Sequence, residues 1–329
     1  MIQWLSGLAL YGLMIASGCS WGVAPRETIS VPVPSMEISG MTRIEGNSFL
    51  LVSDKKETES PGPRLGVLIV GEDGYRISPI DLAGFSDTDQ PNDLEAVCAL
   101  PRKNHEFLLV ESGYYHSKYG RIFYIGLYRH GESWIAQPIG WFRPLPRDSR
   151  WKEESTPSSD QLEGIGCIQD SRDRIWLVLG TRGSKSTPAI LLWGELKGLD
   201  SGQLSFSKQG EHRLEFNPLG DRSISDLFLE SLGIDTWRLW ASAAVDAGDL
   251  GPFRSLIYSP GLIKLDERKE LVFSPKQHES SWLVEGLKVE GLAAPATSFS
   301  QSTFSIGTDD EKYGGIWRPL FPAQGYVSR

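Results

Sequence analysis

The sequence predicts an all-β chain, folded as a five-bladed β-propeller behind a short N-terminal export segment. Three observations carry this expectation. A motif built on an acid or a serine recurs five times. Apolar runs of strand length follow each copy. The composition suits strands and turns, with 11 Trp, 10 Tyr, 13 Phe and 35 Gly in 329 residues.

The first element is the N-terminal segment, residues 1–19. Trp4 to Ile15 is an apolar run, too short for a comfortable membrane span. Ala16-Ser17-Gly18-Cys19 follows it, and small residues directly before a cysteine resemble a bacterial lipobox. The expected outcome is cleavage before Cys19 and acylation of that residue. Plain signal cleavage or an uncleaved anchor is the other reading, because Met1-Ile2-Gln3 carries no Lys or Arg and Ala16 stands where a lipobox usually has Leu. No other long apolar run occurs, so residues 27–329 are expected to form one soluble propeller domain. It would be exported to a bacterial cell envelope, lipid-anchored, periplasmic or extracellular, and meet a membrane through its N-terminal segment alone.

The repeat comes next. Its first copy reads ISGM, FLLVSDKKE, RLGVLIV, and its second DLEAV, FLLVESGYYHSKYG, RIFYIGL. The third reads QLEGIGCI, RIWLVLGTRGSKS, AILLWGEL, and the fourth SISDLF, RLWASAAVDAGDLG, RSLIYSPGLIKLD. The fifth reads KVEGLAA, STFSIGTDDEKYGG, IWRPL. The marked positions Ser39, Glu95, Glu163, Ser225 and Glu290 fall at steps of 56, 68, 62 and 65 residues. The 20 positions from Cys19 to Ser39 and the 39 residues after Glu290 together make about one more step. That closes a ring of five if the N-terminal segment completes the last blade, which also covers strand edges that would otherwise invite pairing. Six blades is the alternative, and it requires one repeat to hide two short blades. Two polar excursions, Ser53 to Arg64 and Arg143 to Asp160, read as solvated loops rather than domain boundaries.

Cys98 and Cys167 follow Glu95 and Glu163 by three and four residues. An offset of one residue points side chains to opposite faces of a strand. On that ground the two cysteines are expected as free thiols, although an oxidising compartment permits a bridge.

The first strand of each blade lines the channel, so Ser39, Glu95, Glu163, Ser225 and Glu290 are expected to converge on the axis. Three carboxylates placed together repel and raise one another's pKa values, and a bound cation removes the repulsion. Oxygen ligands from Glu and Ser suit calcium, whereas zinc would call for His or Cys. The expected metal ligands are these five residues.

The order Ser, Glu, Glu, Ser, Glu across five blades resembles the calcium-activated nucleotidases, or soluble apyrases. LEGIGCI with the following RIWLVLGTRGSK is similar to that family's EAVCW segment and its arginine-bearing strand. VEGLA is similar to its EGI segment, and VSDKK to its VDDR segment. The resemblance implies a five-bladed propeller with a central calcium, and places Asp54, Lys55 and Arg182 at strand ends facing a substrate. Ala241-Ser242-Ala243-Ala244 stands where the family has Lys-Ser-Glu-Glu, and Glu111-Ser112-Gly113 replaces its Lys-Glu-Trp. A looser resemblance extends to phytase-like and esterase-like secreted propellers.

The formal net charge of −9 argues against a nucleic-acid partner, which requires a basic face. No GxSxG is present, and the GxxxxGK[ST] phosphate loop is absent. Two readings of function stay open. In the first, the chain is a calcium-dependent hydrolase of a small phosphorylated or ester ligand. Asp54 or Glu111 would orient the water, and Lys55 and Arg182 would take the developing charge. In the second, it is a non-catalytic envelope lipoprotein whose propeller binds a protein or a small ligand.

Overall fold

The computed structural model describes residues 36–56, 62–86, 90–113, 119–131, 133–145, 160–245, 247–276 and 281–322. The expected export segment, Cys19 and the expected closing strand lie outside the described residues. Among those that are described, the helical pieces are short 3-10 turns such as Thr297–Phe299 and Glu311–Tyr313, and no helix is long and apolar enough to cross a membrane.

The chain forms five antiparallel sheets in sequence order. Blade 1 is β1 (Gly40–Glu45), β2 (Ser48–Val52), β3 (Leu65–Gly71) and β4 (Gly74–Pro79). A short β5 (Asp81–Leu82) then runs parallel to the outer edge of blade 2, which is β6 (Leu94–Ala99), β7 (Glu106–Glu111), β8 (Ile122–His130) and β9 (Ser133–Phe142). Blade 3 is β10 (Leu162–Gln169), β11 (Ile175–Thr181), β12 (Ala189–Lys197) and β13 (Ser205–Leu214). Blade 4 is β14 (Asp226–Gly233), β15 (Thr236–Ala244) and β16 (Arg254–Leu265). Its outer edge is shared by β17 (Leu271–Pro275) and β18 (Ser281–Glu285), both paired to β16. Blade 5 is β19 (Val289–Ala293), β20 (Phe304–Thr308) and β21 (Trp317–Leu320).

The ring closes. Inner strands β1, β6, β10, β14 and β19 touch in turn, and β19 touches β1 again. Five apolar clusters fill the five gaps between blades, so every middle strand is buried on both faces. In β2, Leu50 and Val52 face blade 2 while Phe49 and Leu51 face blade 5. In β11, Leu177 and Leu179 pack toward blade 2, and Trp176 and Val178 toward blade 4. This double burial explains why the middle strands read as unbroken apolar runs rather than as alternation. Trp176, Trp240 and Trp317 are the largest fully buried side chains, each in a different gap. The inner strands approach one another so closely that they need glycine. A Cβ on Gly164 would sit 2.6 Å from Leu227 Cγ of blade 4, and one on Gly40 would sit 2.8 Å from the Ala96 Cα of blade 2.

The expectation for the cysteines is corrected. Cys98 of β6 and Cys167 of β10 form a disulfide that staples blade 2 to blade 3, with Cα atoms 5.9 Å apart. The offset of one residue led to the wrong inference because the parity rule compares faces within one sheet. Neighbouring blades stack face to back, so a pair bridging them must come from opposite faces of equivalent strands. The offset is what allows the bond.

The hairpin between β10 and β11 turns on Asp170. Its carboxylate accepts from the Arg172 and Arg174 amides, each at 2.9 Å, from Arg174 Nε at 2.7 Å and from the Trp176 indole at 3.0 Å. Burial alone would raise its pKa, but these donors outweigh burial and hold it below the ordinary carboxylate value.

Candidate functional site: a charged channel mouth

The inner strands of blades 2, 3 and 5 share an irregularity. The pairing register slips between Leu94 and Ala96, between Leu162 and Gly164, and between Val289 and Gly291. The residue skipped in each case is a motif glutamate: Glu95, Glu163 or Glu290. A bulge leaves one residue out of the ladder and re-aims its side chain, and here it frees three carboxylates for the channel. Blades 1 and 4 have no slip at this point. Ser39 and Ser225 stand one residue ahead of their strands and serve the backbone. Ser39 Oγ accepts from the Asp54 amide, and Ser225 Oγ from the Ala244 amide, both at 3.1 Å. The five marked positions are therefore of two kinds, three bulged glutamates and two serines that hold strand ends.

Glu163 and Glu290 meet through a buried guanidinium. Arg222 Nη1 lies 2.8 Å from Glu290 Oε1 and 3.6 Å from Glu163 Oε2. Arg182 Nη1 approaches Glu163 Oε1 at 3.5 Å. Lys288 Nζ lies 3.4 Å from Glu290, 3.0 Å from Asp309 and 2.6 Å from Glu311. Burial by itself would lower the Lys288 pKa, but the charges of Glu290 and Asp309 outweigh burial and raise it above the ordinary lysine value.

Glu95 belongs to a different neighbourhood. Its carboxylate and those of Asp54 and Asp93 bring ligand oxygens within 4.8 Å of one another. Asp93 sits in the left-handed region at φ 56° and is tied by Ser112 Oγ on Oδ2 at 2.5 Å and by Lys56 Nζ at 3.3 Å from Oδ1. The Asp54 and Glu95 side chains make no hydrogen bond or ion pair among the described residues. Burial, then the charges of Asp309, Asp93 and Glu37, push the Asp54 pKa up to about 7, against the pull of Lys56. Burial, then Glu163, Asp93, Asp54 and Glu290, raise Glu95 well above the ordinary range. A divalent cation would relieve both groups.

The other residues singled out in the sequence fall as follows. Lys55 pairs with Glu37, so its ammonium already has an acid beside it. Glu111 is fully buried and its oxygens are engaged. Oε1 accepts from the Asn92 amide at 3.0 Å and Arg121 Nη2 at 2.7 Å, and Oε2 from Arg121 N and Nε at 3.1 and 2.9 Å. It anchors Arg121 rather than presenting an oxygen to the channel. Sequence reasoning missed Asp93, Arg222, Lys288 and Asp309. A signal for two of them was present, since the residue two before each motif glutamate is Asp93, Gln161 or Lys288, a recurring polar position. Asp309 directly follows β20, and Asp54 follows the end of β2 by two residues.

The mouth also has an apolar border. The loop after β15 and the turn Glu311–Tyr313 are joined by an Asp249–Lys312 ion pair at 2.9 Å, and they expose Leu250 and Tyr313, the Tyr313 ring resting edge-on against Phe253.

No protein-family model and no curated protein matches the chain. Among solved structures the chain is similar to an exo-1,5-α-L-arabinanase from a bovine ruminal metagenomic library, at 10% identity and a TM-score of 0.48, covering 90% of this chain and 98% of that one. It is also similar to a chain of RAG in complex with one melted and one unmelted RSS, at 12% identity and a TM-score of 0.36, covering 84% and 89%. Likeness at this level carries no argument about activity. The blade count rests on the strand pairing and ring closure described above.

Proposed function

We propose that the channel mouth holds a divalent cation, calcium, on Asp54, Asp93 and Glu95, and that the chain acts there on a small phosphate ester or anhydride. One observation carries the reading. Two carboxylates without a partner, Asp54 and Glu95, stand beside an anchored third, while the guanidinium of Arg182 lies beside Glu163 on blade 3. Oxygen donors in this number suit calcium, and the five-residue ring does not, because Arg222 and Lys288 already serve Glu163 and Glu290 and the two serines serve amides. Bound calcium would supply Lewis-acid polarisation of a phosphoryl oxygen. Arg182 would orient an anionic group in bidentate fashion, and Asp93, fixed by Ser112, would hold the acidic wall in place. Tyr313 and Leu250 would receive the uncharged part of the ligand. The disulfide supports export to an oxidising compartment, in keeping with the apolar segment before Cys19.

A second reading, a binding propeller without turnover, has its own support. Glu163 and Glu290 are already compensated, and the fourth blade offers Ala241, Ala243 and Ala244 where charge would serve catalysis. One experiment separates the two. Purified protein is assayed on p-nitrophenyl phosphate, nucleotides and simple carboxylic esters, with calcium and with chelator. Calcium-dependent turnover lost in both Asp54→Asn and Arg182→Ala supports the hydrolase. Calcium binding without turnover on any class leaves the binding module.

A further inference from the structure

Glu163 and Glu290 reach the axis from blades 3 and 5 and are nearly sealed from water, at 1% and 3% exposure. Two such carboxylates need a positive counter-charge. The chain supplies it from the connection between β13 and β14. Arg222, 4% exposed, lies three residues ahead of Ser225 and places one planar cation between the two acids, at 2.8 and 3.6 Å. A guanidinium stays charged at any pH a protein survives, so this cation is permanent, unlike an ion captured from solution. A second observation is the state of Glu163 Oε1, which is buried and accepts no hydrogen bond although Arg182 Nη1 stands 3.5 Å away, so it keeps acceptor capacity that a metal ion with several ligands would use.

We infer that Arg222 is a built-in axial cation. Its guanidinium fills, between Glu163 and Glu290, a latent divalent-cation site, and calcium binding in the native chain is confined to Asp54, Asp93 and Glu95; this last clause rests on the reading proposed above. The arrangement has a structural consequence. Arg222 leads directly into blade 4 while holding acids of blades 3 and 5, so three blades are tied at the axis without an ion. Lys288 reaches Glu290 at 3.4 Å but shares its ammonium with Asp309 and Glu311, so it does not bridge the two acids as Arg222 does.

Calcium titration calorimetry on the purified full chain tests the inference with five variants. Glu163→Gln in the otherwise native chain is expected to leave calcium affinity within about twofold, whereas Glu95→Gln weakens it by at least about tenfold. Arg222→Met is expected to gain a second calcium equivalent, and Arg222→Met combined with Glu163→Gln to lose that gain. Arg222→Lys, which keeps the charge, should gain none. If Glu163→Gln weakens native calcium binding as much as Glu95→Gln does, the glutamates share an ion and the inference is overturned. It is overturned equally if Arg222→Met folds and binds no additional calcium. Should Arg222→Met fold only when calcium is present, melting curves across calcium concentrations read the gained site directly. A native chain that binds no calcium refutes the Asp54–Asp93–Glu95 site, while the gain in Arg222→Met still decides the role of Arg222.

Discussion

Replacing both Cys98 and Cys167 with alanine should lower stability by an amount that the fold itself sets. The bond closes a loop with a sequence separation of 69 residues. Cross-linking removes closure entropy from the unfolded chain, and for a loop of this length the loss corresponds to about 4 kcal/mol at 25 °C. With a denaturant slope of about 3 kcal/mol/M in urea, the unfolding midpoint should drop by a little over about 1 M. Reducing the native protein should give nearly the same drop, because the thiols stay where the bond was and little packing is lost. The assay is a pair of urea melts, native and double alanine, each with and without reductant. Non-reduced peptide mapping should recover one peptide pair joined through Cys98 and Cys167. Melts that coincide in all four conditions, or two free thiols in the map, would refute the face-to-back argument for blades 2 and 3.

Other expectations follow from the same contacts. Asp170→Asn should cost about 2 kcal/mol at neutral pH, because the charged form accepts four hydrogen bonds. The folded-state pKa is depressed, so this stability is present above the unfolded value and lost as pH falls through the folded one; melts of both forms should converge at low pH and diverge toward neutrality. Trp317→Ala should cost about 3–5 kcal/mol, since Trp317 fills the gap between blades 5 and 1 against Phe49, Tyr75 and Phe299, and chemical denaturation reads it. Chelator should lower the melting temperature of the native chain, with calcium at a hundredfold its Kd restoring about 2.7 kcal/mol, and Asp54→Asn should blunt that response in a thermal shift assay. If the hydrolase reading holds, Tyr313→Ala should raise KM for ligands with a large organic group and leave kcat within about twofold, as loss of uniform binding requires.

The fold was legible because its signals are repeated. Each blade presents the same order of inner motif, apolar middle strand, polar loop and apolar third strand, and the count of five follows from spacing. Sequence reading also brought Glu95, Glu163 and Glu290 to inner strands. It missed that the serines differ in kind, because a bulge leaves no mark in a motif of five residues: DLEAV and SISDL look equivalent until the register is known. Arg222 was illegible for another reason. It sits in the connection ahead of its blade, outside the repeated unit, and nothing in Asp221-Arg222-Ser223 distinguishes it from a solvated turn. Charges on loops were overvalued for the same cause. Glu111 and Lys55 look free in a linear chain, and only packing shows that Arg121 and Glu37 already engage them.

The split between the two halves of the mouth follows from which blades carry the bulge. Blades 2, 3 and 5 each send one carboxylate inward, and the compensating groups are distributed unevenly. Blade 3 supplies Arg182, the entry to blade 4 supplies Arg222, and blade 5 supplies Lys288, so the cations gather beside Glu163 and Glu290. Blade 2 supplies Asp93 with its glutamate, and blade 1 supplies Asp54 at the end of β2. Of the lysines that follow Asp54, Lys56 reaches Asp93 rather than Glu95, and Lys55 pairs with Glu37. The result is a mouth whose charge is balanced unevenly, with uncompensated acid on the wall of blades 1 and 2 and paired charges on the wall of blades 3 to 5. A lone anion would add to the excess negative charge, whereas a metal ion would relieve it. A phosphate bound through a divalent cation brings its own counter-charge, and for that reason a metal–phosphate pair is the ligand against which the hydrolase reading should be measured first.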